Sequence, residues 1–90
     1  MKLFLIHLGF YDPELGIYEM HINKLVAAPD AKTAKANIKH SKIFVDKNMH
    51  VDGIEEISMI DGYRISLEKI SETESTGNKI FGYDAVKALG

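Results

Sequence analysis

The chain has 90 residues, 46% hydrophobic and 27% charged, a formal net charge of −2 and no cysteine. That length allows one domain with a small core, for which oligomerisation would be a help. The missing cysteines exclude a disulfide framework and thiol chemistry, so a bound zinc would need histidine and carboxylate ligands, and the negative balance argues against a protein built mainly to hold nucleic acid.

Residues 2–9 (KLFLIHLG) are nearly all apolar and rich in β-formers, which predicts a central strand buried on both faces. The apolar start Leu3-Phe4-Leu5-Ile6 is too short to span a membrane and carries no signal-peptide architecture, so a cytoplasmic location without membrane attachment is expected. Asp12-Pro13 and Gly16 mark a turn. Residues 17–27 resume as a strand, with Tyr18, Met20 and Ile22 on one side and Glu19, His21 and Asn23 on the other. The two strands read as a hairpin.

Asp30, after Pro29, can cap the alanine-rich helix that follows, because its carboxylate accepts from the first free N–H groups. The helix is expected to end near residues 40–42, with Ala31, Ala34 and Ile38 facing inward. Ile43-Phe44-Val45 suits a short strand or a docked loop, and Asp52-Gly53 suits a turn. Around Ile60-Asp61-Gly62, a three-residue hairpin loop sets Met59 opposite Tyr63 and Ile57 opposite Ile65. A two-residue loop instead sets Met59 beside Arg64; apolar pairing favours the first register.

Residues 71–79 contain no apolar side chain and read as a flexible acidic linker, and residues 80–90 as an apolar C-terminal segment that docks on its own domain or on a partner. Residues 1–70 then form a single α+β domain. Its predicted ββαββ sheet has one helix packed on one face in a β-grasp-like roll, with a ferredoxin-like arrangement as the alternative. One helix leaves the other face uncovered, and Leu3 and Leu5 on that face make a homodimer through it the expected solution.

Chemistry concentrates in few places. His7, Glu19 and His21 can converge on adjacent strands, since side chains at i and i+2 share a face and cross-strand partners lie about 5 Å apart. Two imidazoles and a carboxylate are a common zinc or iron ligand set; they also suit proton transfer, or simply a hydrogen-bonded polar row. His50 and Asp52 form a second pair, able to supply two ligands or a His–Asp dyad, or to be solvated in a turn. Proximity of His50 to His21 separates these readings. Lys32, Lys35, Lys39 and Lys42 fall on one helix ridge that could meet phosphates, although a solvated outer face is the preferred explanation.

The run Leu5-Ile6-His7-Leu8-Gly9, followed by Glu19-x-His21, His50-x-Asp52 and Asp61-Gly62-Tyr63, resembles an uncharacterised bacterial domain family of about this length, over roughly residues 1–70. That resemblance implies a stand-alone bacterial cytoplasmic domain and lends no catalytic role. The first functional reading is therefore a homodimeric binding module without catalysis of its own, with a possible protein partner for the C-terminal segment. The alternative is a small metal-dependent or acid–base enzyme. In it His7, Glu19 and His21 would hold a divalent metal or move protons, and His50 and Asp52 would complete the site.

Overall fold

The computed structural model describes residues 1–71 and 77–90, so most of the acidic stretch expected as a linker lies outside the described residues. Three strands, β1 (Lys2–Phe10), β2 (Met20–Ala28) and β3 (His50–Ile57), form an antiparallel sheet in the order β2-β1-β3. The most apolar strand is central, as its composition predicts. Two helices, α1 (Ala31–Lys39) and α2 (Lys42–Asp46), connect β2 to β3. A short hairpin, β4 (Met59–Ile60) and β5 (Tyr63–Arg64), forms a separate two-stranded ladder, and α3 (Tyr83–Ala88) lies near the C-terminus. The class is α+β. The second hairpin does not extend the main sheet.

Alternation along β1 divides the sheet into two unlike faces. Phe4, Ile6, Leu8 and Phe10 are buried, joined by Ala28, by Ala34 and Ile38 of α1, and by Met49. Met20, Ile22, Val26, Phe44, Val51 and Ile54 pack around them. The opposite face carries Leu3, Leu5, His7 and Gly9 of β1, with their β2 partners Ala27, Leu25, Asn23 and His21.

Helix α1 starts where Asp30 caps it, the carboxylate accepting from the Thr33 N–H at 2.7 Å. Its inner face is Ala34 and Ile38; Ala31, expected to join them, is exposed. The helix stops at Lys39, so Lys42 begins α2 and pairs with Asp46 rather than extending a lysine ridge.

Residues 43–45 lie within α2, neither in a strand nor in a loop. The signal that ends this helix is Asn48 in the left-handed region at φ 48°. Its N–H bonds to the Val45 carbonyl and the Met49 N–H to the Phe44 carbonyl, at 3.2 and 3.0 Å, which is a Schellman closure. Asn tolerates that backbone better than most residues. The closure drops Met49 into the core beside Phe44 and starts β3 at His50.

Asp52-Gly53 is part of β3, not a turn. The register runs Gly9 to His50 and Leu8 to Val51, then His7 to Gly53, so Asp52 is the extra residue of a bulge. The later hairpin also corrects the expected register, because Met59 pairs with Arg64 and Ile60 with Tyr63 around a two-residue Asp61-Gly62 turn. Both turn residues have positive φ, 51° and 82°, the geometry whose twist matches paired strands. Apolar pairing carried no weight here because neither face of this hairpin is covered: Met59, Ile60 and Tyr63 are all exposed.

Candidate metal centre

The site grows out of one row of the sheet. Gly9 on the central strand has His21 as its partner on one side and His50 on the other. Strands lie about 4.8 Å apart, so these two histidines start roughly 10 Å from each other with only a glycine between them. Both rings can therefore lean inward over Gly9. A Cβ at Gly9 would come within 2.5 Å of Asp52 Oδ2 and 2.6 Å of His50 Nε2, and would also collide with Glu19 Oε1. The space directly above Gly9 is the point on which those donor atoms converge.

Four further features set the directions. The bulge in β3 adds Asp52 beside His50 on this face, with its two oxygens turned to different histidines: Oδ2 is 3.3 Å from His21 Nε2 and Oδ1 is 3.2 Å from His50 Nε2. Glu19, one residue before β2, places Oε1 at 2.6 Å from His50 Nε2 and 3.3 Å from His21 Nε2. His7, in the next row, lies with its ring centroid 4.7 Å from that of His21 at an interplanar angle of 41°. Its Nδ1 is 2.7 Å from Asn23 Oδ1. An amide oxygen only accepts, so Nδ1 is the donor in this contact.

The loop that presents Glu19 is held at its base. The Asp12 carbonyl accepts from the Leu15 and Gly16 N–H groups, the Asp12 carboxylate accepts from the Glu14 N–H, and Lys47 bonds the same carboxylate at 2.9 Å. Lys47 follows α2, so this ion pair ties the β1–β2 loop to the segment that leads into His50. The Asp12 carboxyl is held below the usual carboxylate range, mainly by the Lys47 hydrogen bond, and Lys47 is raised by the same contact. The Glu19 carboxyl is also lowered, first by its hydrogen bond with His50, against the opposing effect of burial, and then by His21.

All five residues singled out from the sequence, His7, Glu19, His21, His50 and Asp52, thus fall in one cluster on the open face. Two residues escaped that reading. Gly9 is the floor of the cluster, and its signal was a glycine inside an otherwise bulky strand, which often marks close approach by another group. Asn23 orients His7, and its signal was a shared face with His21. The basic row is not part of the site by these contacts; Lys35 and Lys39 line a shallow depression with Phe44, Met49, His50 and Val51, which shares only His50 with the cluster.

Chemically, the donors fall into two triads whose atoms lie within 4.8 Å of one another: His7, His21 and Asp52, and Glu19, His50 and Asp52. Ligands at about 2.0–2.1 Å around a tetrahedral ion stand about 3.3–3.4 Å from each other. Three of the four measured nitrogen–oxygen separations, 3.2, 3.3 and 3.3 Å, match that edge length. Only the His50–Glu19 contact is shorter and has the length of a hydrogen bond.

No helix among the described residues is long and apolar enough to cross a membrane. No curated protein and no solved structure matches the chain. A family model does match, over residues 16–67, a stretch that includes Glu19, His21, Asn23, His50 and Asp52 and begins after His7 and Gly9. With more than half of its length matched, the chain belongs to the family described as Domain of Unknown Function (DUF1543).

Proposed function

We propose that this protein binds a divalent transition-metal cation in the cluster of His7, Glu19, His21, His50 and Asp52. The observation that carries the reading is the convergence of two imidazole nitrogens and two carboxylates over a glycine that leaves them room. Such donors repel one another unless protons or a cation lie between them, and a divalent ion offsets both carboxylate charges at once. The hydrogen bond from His7 to Asn23 supports the same reading, since metal-bound histidines commonly donate their second ring N–H to a fixed acceptor. The solvent-facing side of the cluster leaves a position for water, so metal-assisted acid–base or hydrolytic chemistry is the activity that fits it.

The test is thermal unfolding of chelator-stripped protein with and without Zn²⁺, Mn²⁺, Ni²⁺ or Fe²⁺. At 100-fold over its dissociation constant, a cation stabilises the fold by about 2.7 kcal/mol, which for a domain of this size raises Tm by several degrees or more. His21→Ala should reduce the rise, because it removes a nitrogen that contacts both carboxylates. Absence of a shift with every metal overturns the reading.

A second reading rests on the apolar half of the same face. Leu25 is 62% exposed beside half-buried Leu3, Leu5 and Ile57, and Ile80, Tyr83, Val86 and Leu89 of the C-terminal segment are exposed as well. A homodimer through the open face, with the C-terminal segment docking on a partner, would cover these groups. Light scattering at tens of micromolar distinguishes the cases, and a strictly monomeric mass excludes the dimer.

A further inference from the structure

We infer that the cluster holds two divalent cations side by side, bridged by the Asp52 carboxylate. The inference rests on the cation-binding reading above and concerns how the donors are divided. Two overlapping sets can be drawn through them. His7, His21 and Asp52 make one set and Glu19, His50 and Asp52 the other, and Asp52 is the one residue common to both.

The backbone explains the division. His21 and Asp52 approach from opposite neighbours of β1, and His7 stands one row along the sheet from Gly9. His50 sits in the Gly9 row, and Glu19 reaches it from the end of β2. The bulge makes Asp52 the surplus residue between these rows, and its two oxygens then diverge, Oδ2 toward His21 and Oδ1 toward His50. One oxygen for each ion is the geometry of a bridging carboxylate, and two-metal centres hold their ions about 3.5–4 Å apart.

Charge sets what else such a pair must hold. Two carboxylates and three neutral imidazoles would hold two divalent ions with a net positive balance. That leaves the centre able to retain a hydroxide or another oxyanion in its solvent-facing positions.

The experiment uses the full chain, stripped with chelator, with Zn²⁺ counted by native mass spectrometry and Mn²⁺ followed by electron paramagnetic resonance. Two Zn²⁺ per chain and an exchange-coupled Mn²⁺ spectrum are expected. His7→Ala and His50→Ala each disable one triad, so each should retain one Zn²⁺ and give the uncoupled six-line Mn²⁺ spectrum. One ion per wild-type chain, without coupling, overturns the bridged pair and leaves the cation-binding reading standing. No ion bound overturns both. Should either variant fail to fold by circular dichroism, wild-type stoichiometry and coupling decide the question alone.

Discussion

The two faces of β1 are built from alternate residues of one strand, yet they answer to different physics. Phe4, Ile6, Leu8 and Phe10 lie under the helices and are buried almost completely. Leu3, Leu5, His7 and Gly9 look the other way, and there the strand carries a half-covered apolar patch that gives way to a polar cluster. The covered face works through volume, which is non-directional. The open face works through direction, since a donor atom moved by an ångström no longer meets its neighbours. A single strand can therefore carry stability and chemistry independently, provided that substitutions on one face leave the other unmoved.

The strongest way to break that separation is to empty the covered face. Phe4→Ala removes the largest fully buried side chain at the centre of the sheet and should cost about 3–5 kcal/mol. Against a total of about 5–15 kcal/mol for a native domain, that is a large share. Urea unfolding of metal-free protein should show a lower midpoint with an unchanged slope. A loss below 1 kcal/mol would mean that the core lies elsewhere.

Gly9→Ala is the converse test. The added methyl meets only the ends of the Glu19, Asp52 and His50 side chains, which can swing away. Alanine should therefore change metal-free stability by less than about 1 kcal/mol. The donors can no longer converge, however, and the cation-induced stabilisation of about 2.7 kcal/mol should disappear. A variant that still gains the full increment with Zn²⁺ would remove Gly9 as the floor of the site.

Asn23→Ala sharpens the comparison at lower amplitude. It touches no donor other than His7 and lies on an exposed part of β2. Loss of an orienting partner of this kind lowers metal affinity by about 10–100-fold. Competition with a fluorescent Zn²⁺ chelator measures the change, and unaltered affinity would show that His7 needs no orientation or takes no part.

Much of this was legible in the chain. The central position of β1 follows from its apolar run, the faces of β2 from strict alternation of Met20 and Ile22 against His21 and Asn23, and α1 from Asp30 and its alanines. The five donors could be named because polar groups on a strand face have few places to go. What was hidden depends on backbone irregularity. Alternation alone cannot reveal the bulge at Asp52, because one inserted residue changes which later side chains share a face. The closure at Asn48 was missed for a similar reason, as a single left-handed residue turned residues 43–45 from a candidate strand into a helix. The hairpin at Asp61-Gly62 went to the other register because turn geometry outweighed pairing of Met59 with Tyr63, both of which stay exposed.

The smallest effect belongs to the ion pair that joins the two regions. Asp12 and Lys47 lie outside the donor set, yet they connect the loop carrying Glu19 to the segment that delivers His50. The folded Asp12 carboxyl titrates below its ordinary value of about 4, so its contribution is complete above that value and is lost as pH falls through the folded one. Lys47 is raised, with Glu14 and Asp46 adding to the effect of Asp12, so its contribution is complete below about 10.4 and is lost as pH climbs past the folded value. Lys47→Met should then be less stable than wild type by a small, constant margin from about pH 5 to 9, closing at both extremes. Urea midpoints of the metal-free proteins across that range provide the measurement, and a margin that persists at pH 2 would assign the loss to packing of the lysine stem instead. If the pair also steadies Glu19, Lys47→Met will weaken Zn²⁺ binding at pH 7 while His7→Ala, on the other side of the cluster, leaves the Asp12 contribution untouched. Loop anchoring and donor geometry would then be coupled only through Glu19.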